Sequence, residues 1–273
     1  MLRIFKHKKP IIGVVHLDPL PGSPRNEKSI EEIARHAVHD ARIYANAGMD
    51  GIIVENFGDN PFYPERVGPE TVAAMTYIAS EVIKKVKIPI GIQVLRNDAK
   101  AALAIAKTVG AKFIRVNILG EAMVTDTGII QSRAYDLLRY RKFIGAEDVK
   151  IFADIRVKHA VPIAERDMVY SAEDLVFRCM ADALIIMGPL TGESAELNNP
   201  KMKSKRLKGV PVFVGGGVNK DNVAEYYKIF DGIIIASSLK VDGIPTNPLN
   251  PKRVSEFMRK VEELRQNERL RFK

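Results

Sequence analysis

Apolar, β-branched runs of five to eight residues recur along the whole chain, and each is followed by a longer stretch with helical spacing. The runs fall at 11–15 (IIGVV), 50–55 (DGIIVE), 88–95 (IPIGIQVL), 112–118 (KFIRVNI), 150–157 (KIFADIRV), 183–187 (ALIIM), 211–215 (PVFVG) and 232–236 (GIIIA). This alternation predicts βα units and a parallel sheet. Helix starts are marked between the runs. Ser29 with Glu32, and Ser171 with Asp174, predict capping boxes. Asp98 precedes a periodic stretch that closes on Gly110, and Asn219 precedes another. Eight such units are the number that closes on itself. The expected fold is therefore α/β, a single (β/α)8 TIM barrel over residues 1–273.

Parity within the runs assigns faces, because successive strand side chains point to opposite sides. In the fourth run Ile114, Val116 and Ile118 share one parity, and Phe113, Arg115 and Asn117 share the other. In the fifth, Ile151, Ala153, Ile155 and Val157 alternate with Phe152, Asp154, Arg156 and Lys158. In the third, Ile90, Ile92 and Val94 alternate with Gly91, Gln93 and Leu95. A charge wedged under a helix would be buried without a partner, which is costly. The polar sets are therefore expected to face the barrel interior, late in each strand, at the mouth where barrel active sites lie. His16 and Glu55 end the first two strands and join them.

Composition narrows the setting. The 273 residues are 46% hydrophobic and 27% charged, with no shift that would mark a second domain. The single cysteine, Cys179, excludes an intramolecular disulfide and a cysteine-based zinc site, and fits a reducing, cytoplasmic setting. The start is basic and then apolar, but it flows into a strand and lacks a cleavage pattern. No run approaches the ~20 apolar residues of a transmembrane helix. The net charge of +9 reads either as a solvated, lysine-rich surface or as a match for an acidic partner such as a phosphorylated ligand. The cluster KMKSKRLK at 201–208 sits in the long loop after the sixth strand, which could form a lid over an anionic ligand. The mixed-charge C-terminal segment reads as a helix with a solvated face. No helix-turn-helix, zinc finger or RNA-binding aromatic motif is present, so no specific nucleic-acid partner is expected. A homo-oligomer stays open.

The inward polar set supplies the candidate catalytic residues His16, Glu55, Arg115, Asn117 and Asp154, with Gln93 and Arg156 beside them. Glu55 and Asp154 could act as acid and base if their surroundings separate their pKa values. His16 could take either part near neutral pH. Arg115 and Asn117 could orient a carboxylate or a hydroxyl. Lys158 has Schiff-base chemistry available, but its place beyond the strand end reads as a solvated lysine. A divalent cation could be held by Glu55, Asp59 or Asp154, although no compact metal motif is present and no other cofactor is implied. Phe57, Phe62 and Tyr63, after the second strand, could wall a pocket. The same polar set also reads as a buried structural network in which Arg115 or Arg156 pairs with Asp154 or Glu55.

Gly215, Gly216 and Gly217 follow the seventh strand and precede a helix expected near Asn219. In many barrels the loops after strands seven and eight hold a phosphate, with backbone N–H groups and a helix N-terminus closing on it. Ser237, Ser238 and Lys240 would add hydroxyls and a charge from the adjoining loop. The candidate phosphate site is thus Gly215, Gly216, Gly217, Ser237 and Ser238. The bland alternative is that the glycines only permit a tight strand-to-helix turn.

Taken together, IIGVVHLDPLPGSPR (11–25), DGIIVENFGDNPF (50–62), QVLRNDAKAALAIA (93–106), FIRVN (113–117), ADIRVKHA (153–160), PVFVGGGVN (211–219) and ASSLKVDG (236–243) resemble the BtpA/SgcQ family over residues from about 11 to about 249. The resemblance implies a single barrel of the ribulose-phosphate-binding kind, with phosphate at Gly216, Gly217 and Ser237 by position. The family takes its name from a role in photosystem I accumulation in cyanobacteria. It therefore implies a second possibility, an assembly or stabilisation factor that works through protein or membrane-surface contacts.

Overall fold

A computed structural model describes residues 2–188 and 204–271. In chain order its strands are β1 (Ile11–His16), β2 (Gly51–Glu55), β3 (Ile90–Gln93), β4 (Phe113–Val116), β5 (Ala122–Thr125), β6 (Gly128–Gln131), β7 (Lys150–Arg156), β8 (Ala160–Pro162), β9 (Ala183–Met187), β10 (Val212–Gly215) and β11 (Gly232–Ile235). Eight of them, β1, β2, β3, β4, β7, β9, β10 and β11, close a parallel barrel in that order, with β11 pairing back onto β1. The other three form a small antiparallel sheet in the order β6-β5-β8. The expected barrel is thus present. The small sheet, built from the segments that follow β4 and β7, was not anticipated.

Seven helices lie among the described residues: α1 (Ile30–Asn46), α2 (Pro69–Lys85), α3 (Ala99–Val109), α4 (Ala134–Phe143), α5 (Met168–Phe177), α6 (Val223–Ile229) and α7 (Pro251–Arg271). Ser29 and Glu32 cap α1 reciprocally: Glu32 N donates to Ser29 Oγ at 3.3 Å and Ser29 N to Glu32 Oε2 at 2.9 Å. Asp98 caps α3, and Gly110 ends it in the left-handed region at φ +80°. The expected box at Ser171 is not a cap. Asp167 caps α5 four residues earlier by accepting from Val169 N at 2.7 Å, and Ser171 lies inside the helix, bonded to Glu121. α6 likewise begins at Val223 rather than near Asn219, whose side chain instead closes a turn on the N–H groups of Asp221 and Asn222. α7 is solvated on only one side, since Val254, Phe257, Met258 and Val261 are buried on the other.

Two apolar layers hold the barrel. The larger fills the space between strands and helices, and the smaller fills the barrel itself. Inside, Phe113, Phe152 and Phe213 occupy the lower level. Their rings need space on neighbouring strands: a Cβ at Gly91 would come within 2.3 Å of the Phe113 ring, and one at Gly232 within 2.3 Å of Phe213. Phe5 closes the bottom edge-on, 5.7 Å from Phe113 and 6.4 Å from Phe152. With the lower barrel filled by carbon, the polar side chains can gather only at the opposite, C-terminal end.

Candidate active site

The mouth opens into a cavity of about 790 Å³. His16, Glu55, Gln93, Arg115 and Asn117 line it from the barrel strands and the residues just beyond them. Gly216, Gly217, Ser237 and Ser238 line it from the loops after β10 and β11. The structure therefore brings most of both candidate groups into one space.

Asp154 is placed differently. It lies beneath the floor with its side chain fully buried. Arg115 donates to it from Nε at 3.0 Å and from Nη2 at 2.8 Å, and Asn117 Nδ2 donates at 2.9 Å. Asn117 Oδ1 in turn accepts from Gln93 Nε2 at 3.2 Å. This chain fixes the rotamers of three cavity-facing residues from below. It leaves Gln93 Oε1 buried with no partner among the described residues, an acceptor available at the cavity wall.

Glu55 sits 4.0 Å from Arg115 Nη1 and is nearly buried. Burial pushes its carboxyl above the ordinary value, and the Arg115 and Lys158 charges only partly oppose that. The upward direction holds because Arg115 makes its short contacts to Asp154, not to Glu55. His16 is stacked on Phe57 at 4.1 Å, and its Nδ1 lies 3.1 Å from the Pro245 carbonyl. A carbonyl can only accept, so Nδ1 carries the proton and Nε2 keeps a lone pair. Burial, with the charges of Lys240, Lys158 and Arg115, lowers the His16 pKa to about 3. It is a neutral acceptor across the working range, not a group that switches near pH 7.

Three expectations need correction here. Arg156 does not join the mouth. A register shift between Asp154 and Arg156 breaks the alternation of β7, and Arg156 turns away to donate to the Arg166 carbonyl at 2.7 Å. Lys158 is not a solvated lysine: it lines the cavity, and burial beside Arg115 pulls its pKa down to about 8. Lys240 is buried and paired with Asp40 at 3.3 Å, so it gives no charge to the loop pair. Arg253, from the first turn of α7, lines the cavity instead and donates to the Ser238 carbonyl at 3.3 Å.

The three glycines do different work. Gly215 ends β10, where a Cβ would meet Met187 Sδ at 2.6 Å. Gly216 and Gly217 adopt φ +82° and +65°, which only glycine takes readily, and both line the cavity. Ser237 and Ser238 open a short 3-10 turn, whose first N–H groups have no acceptor in their own turn. Ser238 Oγ donates to Val218 O at 2.6 Å and so ties the two loops together.

Arg96 and Asp126 also line the cavity and were missed from sequence. Arg96 follows β3, and Asp126 sits at the β5–β6 turn; they pair at 3.1 Å. Neither falls on a barrel-strand parity, so alternation could not find them. Asp59 spends its carboxylate on Leu20 N, in the loop after β1, and on Asn56 Nδ2 in its own loop. Among the described residues no group of three or more His, Cys, Asp or Glu side chains comes together to hold a metal ion. The expected lid after β9 includes residues 189–203, which lie outside the described residues.

A closed eight-stranded parallel barrel with a polar cavity at its C-terminal mouth places the molecule among the TIM-barrel proteins. Within them the chain belongs to the BtpA family, whose model matches residues 7–263. It is 43% identical over 263 residues, covering 96% of this chain and 91% of the relative, to the photosystem I biogenesis protein BtpA of Synechocystis sp.. The barrel is also similar to N-(5'-phosphoribosyl)anthranilate isomerase from Pyrococcus furiosus, with a TM-score of 0.55 and 18% identity over 93% of this chain and 99% of that one. A third match is thiamine phosphate pyrophosphorylase from Pyrococcus furiosus, with a TM-score of 0.54 and 15% identity over 94% and 96%. No helix among the described residues is long and apolar enough to cross a membrane.

Proposed function

We propose that the protein is an enzyme acting on a phosphorylated small molecule, a sugar or nucleoside phosphate. The observation that carries this reading is the shared cavity. On one side stand Gly216, Gly217, Ser237 and Arg253, whose backbone N–H groups, hydroxyl and guanidinium would cradle an anion. On the other stand Glu55, His16, Arg115 and Asn117, braced from below by Asp154. A phosphate held by the first group would present the rest of the molecule to the second. Glu55, whose carboxyl burial pushes above its ordinary value, serves as the proton-transferring group. Arg115 Nη1, Asn117 and His16 Nε2 orient oxygen or hydroxyl groups. The two similar barrels are named for phosphorylated compounds, which agrees with this reading.

Titration with inorganic phosphate and a panel of sugar and nucleoside phosphates, read by melting temperature, tests it. A ligand at a hundred times its Kd should stabilise the fold by about 2.7 kcal/mol. No shift with phosphate or with any ester would sink the proposal.

A second reading, an assembly factor, has one structural observation in its favour. Ile129, Val124 and Val161 lie side by side across the small sheet and are 60%, 44% and 61% exposed. Polar substitution of this row would abolish capture of a protein partner while leaving phosphate binding intact.

A further inference from the structure

Among the described residues two lysines line the cavity, Lys158 and Lys220, and they are in different states. Lys220 is exposed and pairs with Glu256 at 3.5 Å. Lys158 is half-buried, and its amine has no hydrogen-bond or ion-pair partner among the described residues. Its base is nonetheless firmly held. Arg96 Nη2 donates to the Lys158 carbonyl, and Asp126 holds Arg96 in turn. Val157 beside it is buried. A pinned backbone with an unengaged amine is unlike the structural lysine of this region, Lys240, whose ammonium is spent on Asp40.

The charges facing the amine come from several elements. Arg115 on β4 repels a proton on it, while Glu55 on β2 and Asp154 on β7 attract one. Burial is the largest influence and Arg115 follows it; the two carboxylates only partly offset them. A lysine desolvated beside another cation is a nucleophile at neutral pH.

We propose that Lys158 is a covalent catalytic residue that condenses with the aldehyde or ketone carbonyl of a phosphorylated substrate. The proposal rests on the phosphate cradle described above and deepens it by naming the substrate class: phosphorylated carbonyl compounds. The nitrogen lone pair attacks the carbonyl carbon, a C–N bond forms, and the C=O π pair moves to oxygen, which takes a proton. Nitrogen loses a proton, the new hydroxyl leaves as water on further protonation, and the resulting iminium gives up its remaining N–H proton to leave the C=N bond of an imine. The net change is amine plus carbonyl giving imine plus water, with no oxidant or reductant consumed. Glu55, on the same cavity wall, carries the protons between nitrogen and the departing oxygen.

The test uses pyridoxal 5′-phosphate as a phosphorylated aldehyde and pyridoxal as its phosphate-free twin. Each is incubated with the full-length protein, reduced with borohydride, and located by peptide mass spectrometry. Label from the phosphate ester should exceed that at any other lysine by roughly tenfold or more, less than the free-amine gain separating a pKa of about 8 from one of 10.5. Inorganic phosphate should suppress it, and Lys158→Arg, which keeps the charge, should remove it at an unchanged melting temperature. Label spread evenly over surface lysines, with phosphate still raising the melting temperature, would overturn the nucleophile and leave the phosphate site standing. Equal labelling of Lys158 by both aldehydes, with no protection by phosphate, would instead keep the reactive amine and overturn the phosphorylated substrate class.

Discussion

Arg115 and Asp154 form a two-point ion pair beneath the cavity floor, with Nε at 3.0 Å and Nη2 at 2.8 Å from the two carboxylate oxygens. Both oxygens are engaged, and Asn117 Nδ2 donates a second bond to one of them. The pair leaves only Nη1 of Arg115 directed toward Glu55. Asp154 therefore aims other residues and is not itself presented to a ligand. Burying both charges is costly, and the geometry offsets that cost only while both partners are present.

Asp154→Asn should be strongly destabilising for that reason. It removes the negative charge and leaves the Arg115 guanidinium buried and uncompensated. Breaking such a pair typically costs 3–5 kcal/mol, and retention of the amide's shape should place this variant near about 3 kcal/mol. Urea unfolding measures it. A variant of wild-type stability that has lost turnover would show instead that Asp154 takes part in the chemistry directly.

Glu55→Gln should behave in the opposite way. The Glu55 carboxyl has a folded pKa above its ordinary value of 4.5. The unfolded chain therefore ionises more readily, and the wild-type protein loses stability as pH rises past that value. Glutamine carries no such penalty. The variant should match or exceed wild-type stability at pH 7, with its relative advantage growing as pH is raised above 4.5. It should have lost turnover of any substrate found. Chemical unfolding across that range decides it, and a variant that falls behind as pH rises would mean that the ionised carboxylate is held favourably.

His16 should not titrate near neutrality. With a folded pKa of about 3 against 6.5 for a free imidazole, the unfolded chain takes up the proton first. The group's contribution is complete above pH 6.5 and drains away as pH falls toward 3. Its ring resonances should stay constant from pH 8 to about pH 5, by the same reasoning. The stability difference between wild type and His16→Gln should shrink over the acid part of that range. A ring titration with a midpoint near 6.5 would contradict burial, beside the charges of Lys240, Lys158 and Arg115, as what holds the ring neutral.

Much of this site was legible in the sequence because barrel strands obey a simple alternation. Phe113, Arg115 and Asn117 share a parity, and all three face inward, as do Gly91 with Gln93 and Phe152 with Asp154. The rule failed where the backbone leaves the ladder. The shift in β7 turned Arg156 out, while Lys158, on the inward parity but read as solvated for lying beyond the strand, came into the cavity. Arg96 and Asp126 depend on a loop and on an antiparallel turn that periodicity does not encode. Burial of Lys240 against Asp40 joins residues 200 positions apart, and no local signal reports such a pair. The cap of α5 falls at Asp167 and not at Ser171, because docking of the helix on the barrel sets where it begins.

The three consecutive glycines should separate when substituted one at a time. Gly215→Ala places a Cβ 2.6 Å from Met187 Sδ and 3.4 Å from the Ile234 carbonyl. The methionine end is flexible and can give way, so the cost should be about 1 kcal/mol, at the low end for overpacking. Phosphate affinity should be unchanged, because Gly215 does not line the cavity. Gly217→Ala has a different effect. At φ +65° an alanine is strained by about 1–2 kcal/mol, and the turn relaxes by rotating its peptide groups. The N–H groups then leave the anion, so phosphate should bind at least several-fold more weakly for a comparable loss of stability. Gly216→Ala, at φ +82°, should follow Gly217→Ala. Calorimetric titration of the three variants with inorganic phosphate, alongside their unfolding curves, tests the division. Equal loss of phosphate binding in all three would mean that the turn acts as one unit and that the roles assigned to Gly215 and to its two neighbours are not distinct.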